Sequence, residues 1–144
     1  MVNRIFIDPG ESGGLAWHDH DGIVQAEAMP EGMTEQIDLI RRLTVFRNNV
    51  VMEKTGSYMP GNSGPAAAKF ARHCGHLEAA LYTLGVPVTQ VAPNVWQRKL
   101  GTLPKEKTAR KKAIKEVVQR QYPHLDVTLK TADALGMLYA YRGE

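Results

Sequence analysis

Three carboxylates stand out because each lies where an apolar segment ends or is interrupted. Asp8 and Glu53 each close a short apolar run of the kind that forms buried strands. Asp133 is the exception in an otherwise apolar helical segment. An ionised carboxylate among apolar neighbours is costly unless it is paired or binds a metal. Because carboxylate oxygens suit Mg²⁺ or Mn²⁺, we predict that these residues are catalytic ligands for one or two such ions.

Each carboxylate also has a simpler explanation when it is taken alone. Asp8 precedes Pro9 and Gly10, and aspartate commonly begins a turn. Asp133 lies near the start of its helix, where helix capping and the helix dipole would favour an acid. The sequence therefore leaves the structural and catalytic interpretations open at each position. The catalytic interpretation gains weight only if the fold brings the three side chains together.

The elements that must position these residues alternate between strands and helices. The first strand is followed by a hairpin whose turn is the polar segment 18–22, which ends in Asp-Gly. We interpret its His18, Asp19, His20 and Asp21 as a turn rather than a metal site, because neighbouring strand residues point to opposite faces. The predicted strands cover residues 3–8, 13–17, 23–29, 49–53 and a buried 87–91, and the predicted helices cover 33–43, 65–84, 108–121 and 131–141.

A basic stripe runs through the second half of the chain. The net charge is only +3, but cations greatly outnumber acids between Trp96 and Arg120. Such a stripe is the usual footprint for a phosphate backbone, although a solvated lysine-rich helix face would look the same. We predict that the lysines of helix 108–121 line its outer side. The DNA-binding residues predicted in this stripe are Arg98, Lys99, Lys105, Lys107, Arg110 and Lys111.

A second group of predicted DNA contacts follows Glu53. The segment 56–64 is rich in Gly, Ser, Pro and Asn and is predicted to be a loop. Its Tyr58 could stack on or wedge between bases, or it could simply cover part of the core. Lys54, Lys69 and Arg72 flank this loop on either side and are predicted to contact phosphates.

Length and composition limit the class of protein. The chain has 144 residues, which is the size of one domain, and we predict that residues 1–144 form one. The sequence has no apolar run of membrane-spanning length and no signal-peptide pattern. The only cysteine is Cys74, which excludes an internal disulfide framework. We therefore expect an intracellular, cytoplasmic protein.

Several segments together resemble a known family. They are Ile-Asp-Pro-Gly at 7–10, Val-Val-Met-Glu-Lys at 50–54, the segment 84–99 that ends in Trp-Gln-Arg-Lys, and Thr-Ala-Asp-Ala-Leu at 131–135. In order and spacing they look like the RuvC-type Holliday junction resolvases, particularly phage and organellar members. That family lies in the ribonuclease H-like, or retroviral integrase, superfamily.

The resemblance implies an α/β fold of the ribonuclease H-like type, with a mixed five-stranded sheet flanked by helices. It also implies a homodimer that cuts a four-way DNA junction symmetrically and requires Mg²⁺ or Mn²⁺. Asp8 would bridge the metals, and Glu53 and Asp133 would complete the ligand shell. Two identical sites would match the two-fold symmetry of the substrate.

The chain departs from the family pattern just before Asp133. Family members often carry a further acid or histidine three or four residues earlier, where this chain has Leu129 and Lys130. Our hypothesis is that Lys130 points at the site as a catalytic residue. The alternative is a solvated lysine before a helix. The departure leaves the number of metals open.

Other functions fit the same residues. A nuclease for branched DNA or RNA–DNA hybrids would share the fold and the three acids. A non-catalytic junction-binding protein with a degenerate site would explain the missing fourth acid. A fragment of a sugar or acetate kinase-like ATPase shares the first hairpin, but the short chain disfavours it.

Overall fold

A computed structural model describes residues 3–54 and 64–144. The strands and helices follow the predicted order, with boundaries within a few residues of those expected. The strands are β1 (Arg4–Asp8), β2 (Gly14–His18), β3 (Val24–Ala28), β4 (Asn49–Glu53) and β5 (Val88–Val91). The helices are α1 (Met33–Thr44), α2 (Gly64–Thr83), α3 (Pro93–Arg98), α4 (Lys107–Gln121) and α5 (Leu129–Ala140). Within the described residues, no helix is both long and apolar enough to cross a bilayer.

The strands form one mixed sheet in the order β3-β2-β1-β4-β5. The strands β1, β2 and β3 pair antiparallel through short connections, whereas β4 lies parallel to β1 and β5 lies parallel to β4. The parallel pairs require crossovers, which α1 and α2 supply. This arrangement confirms the predicted α/β fold, a mixed five-stranded sheet flanked by helices. The strand β1, which carries Asp8, is central.

The alternation of side chains along β1 divides the core into two layers. Ile5 and Ile7 pack against α1 and α2 on one face of the sheet. Phe6 lies on the other face, in a core that α4 and α5 complete together with Trp96 of α3. Because helices cover both faces, the three middle residues of the inner strands β1 and β4 are all apolar.

The turn between β2 and β3 is structural, as the sequence predicts. The Asp19 carboxylate accepts hydrogen bonds from the backbone N–H groups of Asp21 and Ile23, both at 2.9 Å. It also accepts one from the Gln25 side chain at 3.0 Å. The Asp19 side chain is therefore used to hold the hairpin, as is common for aspartate in turns.

The prediction that the last strand is buried is wrong. The strand β5 lies at the edge of the sheet and pairs only with β4. Its two middle residues, Thr89 and Gln90, are exposed, and Val88 and Val91 are half-buried. A short strand segment between two prolines, such as residues 87–93, can lie at an edge or in the centre of a sheet, since pairing with other strands decides which.

Candidate active site

Strand alternation and register bring Asp8 and Glu53 together. Ile7 of β1 is in register with Met52 of β4, and both side chains pack on the α1–α2 side of the sheet. The next residue along each strand points to the opposite face. Asp8 and Glu53 therefore lie side by side at the carboxyl ends of adjacent parallel strands, facing α5.

Helix α5 brings Asp133 to the same place. The helix is capped by Thr128, whose side chain pairs reciprocally with Thr131 in a capping box. Asp133 lies beyond that first turn and is buried, so helix capping does not explain it. The first turn of α5 lies close against β2 at Gly14, where a Cβ atom would be 2.8 Å from the Lys130 carbonyl oxygen. Since Gly14 is in register with Asp8, this close approach places α5 over the end of β1.

The three carboxylates form a compact cluster. Asp8, Glu53 and Asp133 can each offer one oxygen such that these oxygens all lie within 4.8 Å of one another. Within the described part of the chain, no other group of three or more acid, histidine or cysteine side chains meets this criterion. Asp8 and Asp133 are each only 8% exposed. The fold thus assembles the cluster that the sequence could only suggest.

Burial and repulsion between carboxylates make Asp8 and Glu53 hold protons strongly. Burial raises the pKa of Asp8 well above its usual range, and the charges of Glu53 and Asp133 raise it further. Burial also raises the pKa of Glu53 to about 7, even though a hydrogen bond from Trp96 lowers it. The charge of Lys111 lowers the pKa of both groups. Carboxylates held this close favour binding a cation, which would offset their repulsion.

The donor set fits a hard divalent cation. Three carboxylate oxygens from three different elements converge within a few ångströms, and oxygen is the ligand type that Mg²⁺ and Mn²⁺ prefer. Water would have to complete the shell, as is usual for Mg²⁺ in proteins. The residues present therefore suit the divalent metal that the sequence predicts.

Trp96 also contacts the cluster, although no sequence pattern indicates this contact. Its indole Nε1–H donates a hydrogen bond of 2.7 Å to Glu53 Oε2. The residue is fully buried and belongs to the core beneath α5. A tryptophan in a short helix after a proline gives no sign of which strand it faces, so no sequence pattern identified this contact.

Lys111 also contacts the cluster, so the prediction that the α4 lysines line the outside is wrong for this residue. Its Nζ lies 3.5 Å from Asp133 Oδ2. The sequence contained a signal for this, because Lys111 lies three and seven residues before Ile114 and Val118, the buried positions of α4. Residues at that spacing share one face of a helix.

Lys130 lies at the surface and is linked electrostatically to another acid. The residue is exposed. The pKa of Glu11 is lowered chiefly by a hydrogen bond from Lys69, 2.5 Å away, and further by the charge of Lys130. Lys111 rather than Lys130 is thus the lysine that pairs with Asp133 among the described residues. The catalytic role of Lys130 stays a prediction.

The remaining predicted DNA contacts lie mostly on the surface. Lys99 forms an ion pair with Glu144, which follows the C-terminal end of α5, whereas Asp133 lies near the N-terminal end of that helix. Arg110 donates a hydrogen bond to the Lys105 carbonyl oxygen. Tyr58 falls outside the described residues. Those that are exposed are Lys54, Lys69, Arg72, Arg98, Lys99, Lys105 and Lys107.

Comparison with solved structures identifies the fold. The RuvC protein of T. thermophilus in complex with a Holliday junction substrate aligns with a TM-score of 0.61 at 18% identity, over 96% of this chain and 92% of that one. The chain has a RuvC-type fold. Another Thermus thermophilus RuvC structure aligns with a TM-score of 0.56 at 19% identity, over 96% of this chain and 93% of that one. The resemblance inferred from the sequence motifs is confirmed at the level of fold.

A third solved structure and two searches with the sequence do not add to the assignment of the RuvC-type fold. The yeast mitochondrial Holliday junction resolvase Ydc2 aligns with a TM-score of 0.48 at 16% identity, over 96% of this chain and 75% of that one. No protein-family model matches the sequence, and a search of curated proteins found no match. The likeness is thus one of structure, carried by the sheet order and its flanking helices.

Proposed function

We propose that the protein is a metal-dependent endodeoxyribonuclease that resolves four-way DNA junctions by phosphodiester hydrolysis. One observation carries the proposal: Asp8, Glu53 and Asp133 converge within 4.8 Å in a fold like that of a RuvC bound to a Holliday junction. A buried acid cluster beside a basic helix is what hydrolysis of a polyanion needs. The likeness in fold favours a branched substrate over a linear one.

The three carboxylates would hold Mg²⁺ or Mn²⁺. When bound, such an ion activates water and stabilises the charge that develops at phosphorus. The protein contributes the geometry: β1 and β4 fix two of the carboxylates at strand ends, and α5 fixes the third. Lys111 supplies a positive charge next to Asp133, at the side of the cluster from which α4 approaches.

Basic side chains near the cluster would hold the DNA backbone. Lys107 begins α4, the helix that carries Lys111, and is exposed. Lys54 directly follows Glu53 and is also exposed. Phosphate contacts from these residues would orient a strand across the acid cluster without reading its sequence.

The proposal includes a homodimer. A four-way junction has two-fold symmetry, and two symmetric cuts require two active sites related in the same way. Each chain contributes one complete acid cluster from its own β1, β4 and α5. Light scattering at several protein concentrations, with and without junction DNA, would show whether two chains act together.

The decisive experiment compares cleavage of an immobile four-way junction with cleavage of a matched linear duplex. Wild type, Asp8→Asn and the surface control Asp21→Asn are assayed with Mg²⁺, with Mn²⁺ and with a chelator. We expect paired symmetric cuts in the junction that need metal. Asp8→Asn should reduce cleavage about 100-fold or more, since even residues behind a metal ligand usually contribute 10- to 100-fold. Asp21→Asn should cleave normally.

Other outcomes would point to other functions. Equal cutting of linear duplex or of an RNA–DNA hybrid would keep the nuclease chemistry but reject junction resolution. Tight junction binding without cleavage in any metal would favour a non-catalytic binding protein. The second result would give weight to Leu129 and Lys130, which stand where family members often carry a further ligand.

A further inference from the structure

The Trp96 indole donates a hydrogen bond to one of the two carboxylate oxygens of Glu53. Its Nε1–H donates to Oε2 at 2.7 Å, and an indole N–H can only donate. One lone pair of Oε2 is thereby taken up by the core, and among the described residues no hydrogen bond reaches Oε1. Glu53 is thus held in one orientation by a group that is itself a fixed part of the core.

The indole ring is held firmly between two elements that carry the acid cluster. Trp96 is fully buried. Its six-membered ring lies against Gly136 of α5, where an added Cβ atom would be 2.7 Å from Trp96 Cζ3. Gly136 lies one helical turn after Asp133. The same ring thus packs against the helix of Asp133 and hydrogen-bonds to Glu53 of β4.

From this geometry we propose that Trp96 is a positioning residue that makes Glu53 a one-oxygen ligand and biases the site toward small octahedral cations over Ca²⁺. The inference rests on the proposed metal site. Mg²⁺ demands near-ideal octahedral geometry, whereas Ca²⁺ accepts more oxygens and readily takes both oxygens of one carboxylate. Hydrogen bonds behind metal ligands orient them and tune affinity. Freeing Oε2 would let Glu53 offer both oxygens, which suits the larger ion.

The first test follows the indole itself. In ¹⁵N-labelled protein the two indole N–H resonances belong to Trp17 and Trp96, and Trp17→Phe assigns them. Trp17 contacts the core on the other face of the sheet and serves as an internal reference. During a Mg²⁺ titration we expect the Trp96 resonance to move with saturation of the site and the Trp17 resonance to stay. A Trp96 resonance that does not respond while Mg²⁺ binds would overturn the inference.

The second test measures cation preference by calorimetry in the absence of DNA. Trp96→Phe keeps an aromatic ring in the core but removes the donor. We expect it to weaken Mg²⁺ binding about 10-fold or more and to shift the ratio of Ca²⁺ to Mg²⁺ affinity toward Ca²⁺ by a similar factor. Trp17→Phe, the matched control, should leave the ratio unchanged. An unchanged ratio in folded Trp96→Phe would contradict the role of Trp96.

These measurements separate the two proposals. Failure of wild-type protein to bind any divalent cation would reject both the metal site and the role of Trp96. Metal-dependent cleavage with a silent Trp96 resonance would leave the proposed function intact and reject only the positioning role. If Trp96→Phe does not fold, the wild-type titration alone decides.

Discussion

Lys111 and Asp133 form an ion pair at the edge of a buried acid cluster, with Nζ 3.5 Å from Oδ2. The lysine side chain is 36% exposed and that of the aspartate 11%. The ammonium therefore lies at the partly exposed edge of the cluster. It offsets part of the repulsion among Asp8, Glu53 and Asp133, which is why its charge lowers the pKa of Asp8 and Glu53.

Lys111→Gln should destabilise the metal-free protein. Removing the ammonium leaves the carboxylates without a compensating charge, but solvent screens this partly exposed pair. We therefore expect the free energy of unfolding near neutral pH to fall by about 1 kcal/mol. Saturating Mg²⁺ should shrink the loss, because a bound cation offsets the same repulsion. Urea denaturation with and without Mg²⁺ measures both effects.

Lys130→Gln is the matched comparison, because Lys130 is exposed near Glu11. We expect the free energy of unfolding of Lys130→Gln to differ from that of wild type by less than about 0.5 kcal/mol, as for most surface substitutions. Its cleavage rate tests the hypothesis that Lys130 serves the site. Unchanged cleavage would end that hypothesis, whereas a loss greater than that of Lys111→Gln would reverse the order of importance of the two lysines.

The metal-free protein should lose stability as the pH rises. Burial raises the pKa of Glu53 from its ordinary 4.5 to about 7, and burial also raises that of Asp8. A raised pKa means that the folded state holds more protons than the unfolded state. The stabilisation from these protons is complete below the pKa of the unfolded state. It is lost as the pH rises through the pKa of the folded state. For Glu53 the loss is on the order of 3 kcal/mol.

Chemical denaturation across the range from about pH 4 to about pH 8 checks this prediction. Glu53→Gln should flatten the curve, and so should Mg²⁺, since bound metal replaces the protons. Glu31→Gln, at an exposed position, should leave the slope as it is in wild type. A rise in stability over this range in metal-free wild type would show that the carboxylates are not held together as described.

Salt should weaken DNA binding steeply, and Lys107 should contribute to that dependence. Lys107 is exposed at the start of α4. A lysine that neutralises one phosphate adds about 1 to the slope of log affinity against log salt, so Lys107→Gln should lower the slope by about that amount. Arg41→Gln is the control, because Arg41 lies on α1, across the sheet, and pairs with Asp38. An affinity that does not depend on salt would contradict the proposed backbone contacts.

Gly14→Ala should disturb α5 and, through it, the acid cluster. A Cβ atom at this position would be 2.8 Å from the Lys130 carbonyl oxygen and 2.9 Å from that of Glu27. Backbone atoms must move to relieve such contacts, so we expect a loss of about 1–3 kcal/mol in the free energy of unfolding. Cleavage should fall as well, because Asp133 moves with α5.

Gly75→Ala, the same substitution at another glycine, should stabilise the protein where Gly14→Ala destabilises it. Gly75 lies within α2, and among the described residues an added Cβ would meet no atom within 4 Å apart from its chain neighbours and the nearby backbone of its own helix. Alanine favours a helix over glycine by about 0.5–1 kcal/mol, so this variant should be more stable than wild type. Thermal denaturation of the two variants measures both. Equal effects at Gly14 and Gly75 would contradict the close approach of α5 to β2.

The sequence by itself indicated the strands and helices and singled out the three acids as candidates. Apolar runs ending in Asp8 and Glu53 predict two strands with polar tips, and the apolar segment around Asp133 predicts a buried helix. These features are local, because strand alternation and helical periodicity depend on residues a few positions apart. The order and spacing of the motifs also indicated the RuvC-type fold.

The tertiary structure alone decided which side chains meet. Strand order placed β5 at the edge of the sheet, and the register of β1 with β4 put Asp8 beside Glu53. The contacts of Trp96 with Glu53 and of Lys111 with Asp133 join residues 43 and 22 positions apart. Such contacts depend on how helices pack on the sheet, and no local pattern specifies that packing. The position of Lys130 in the sequence predicts that this lysine points at the site, whereas in the fold Lys111 is the lysine that pairs with Asp133.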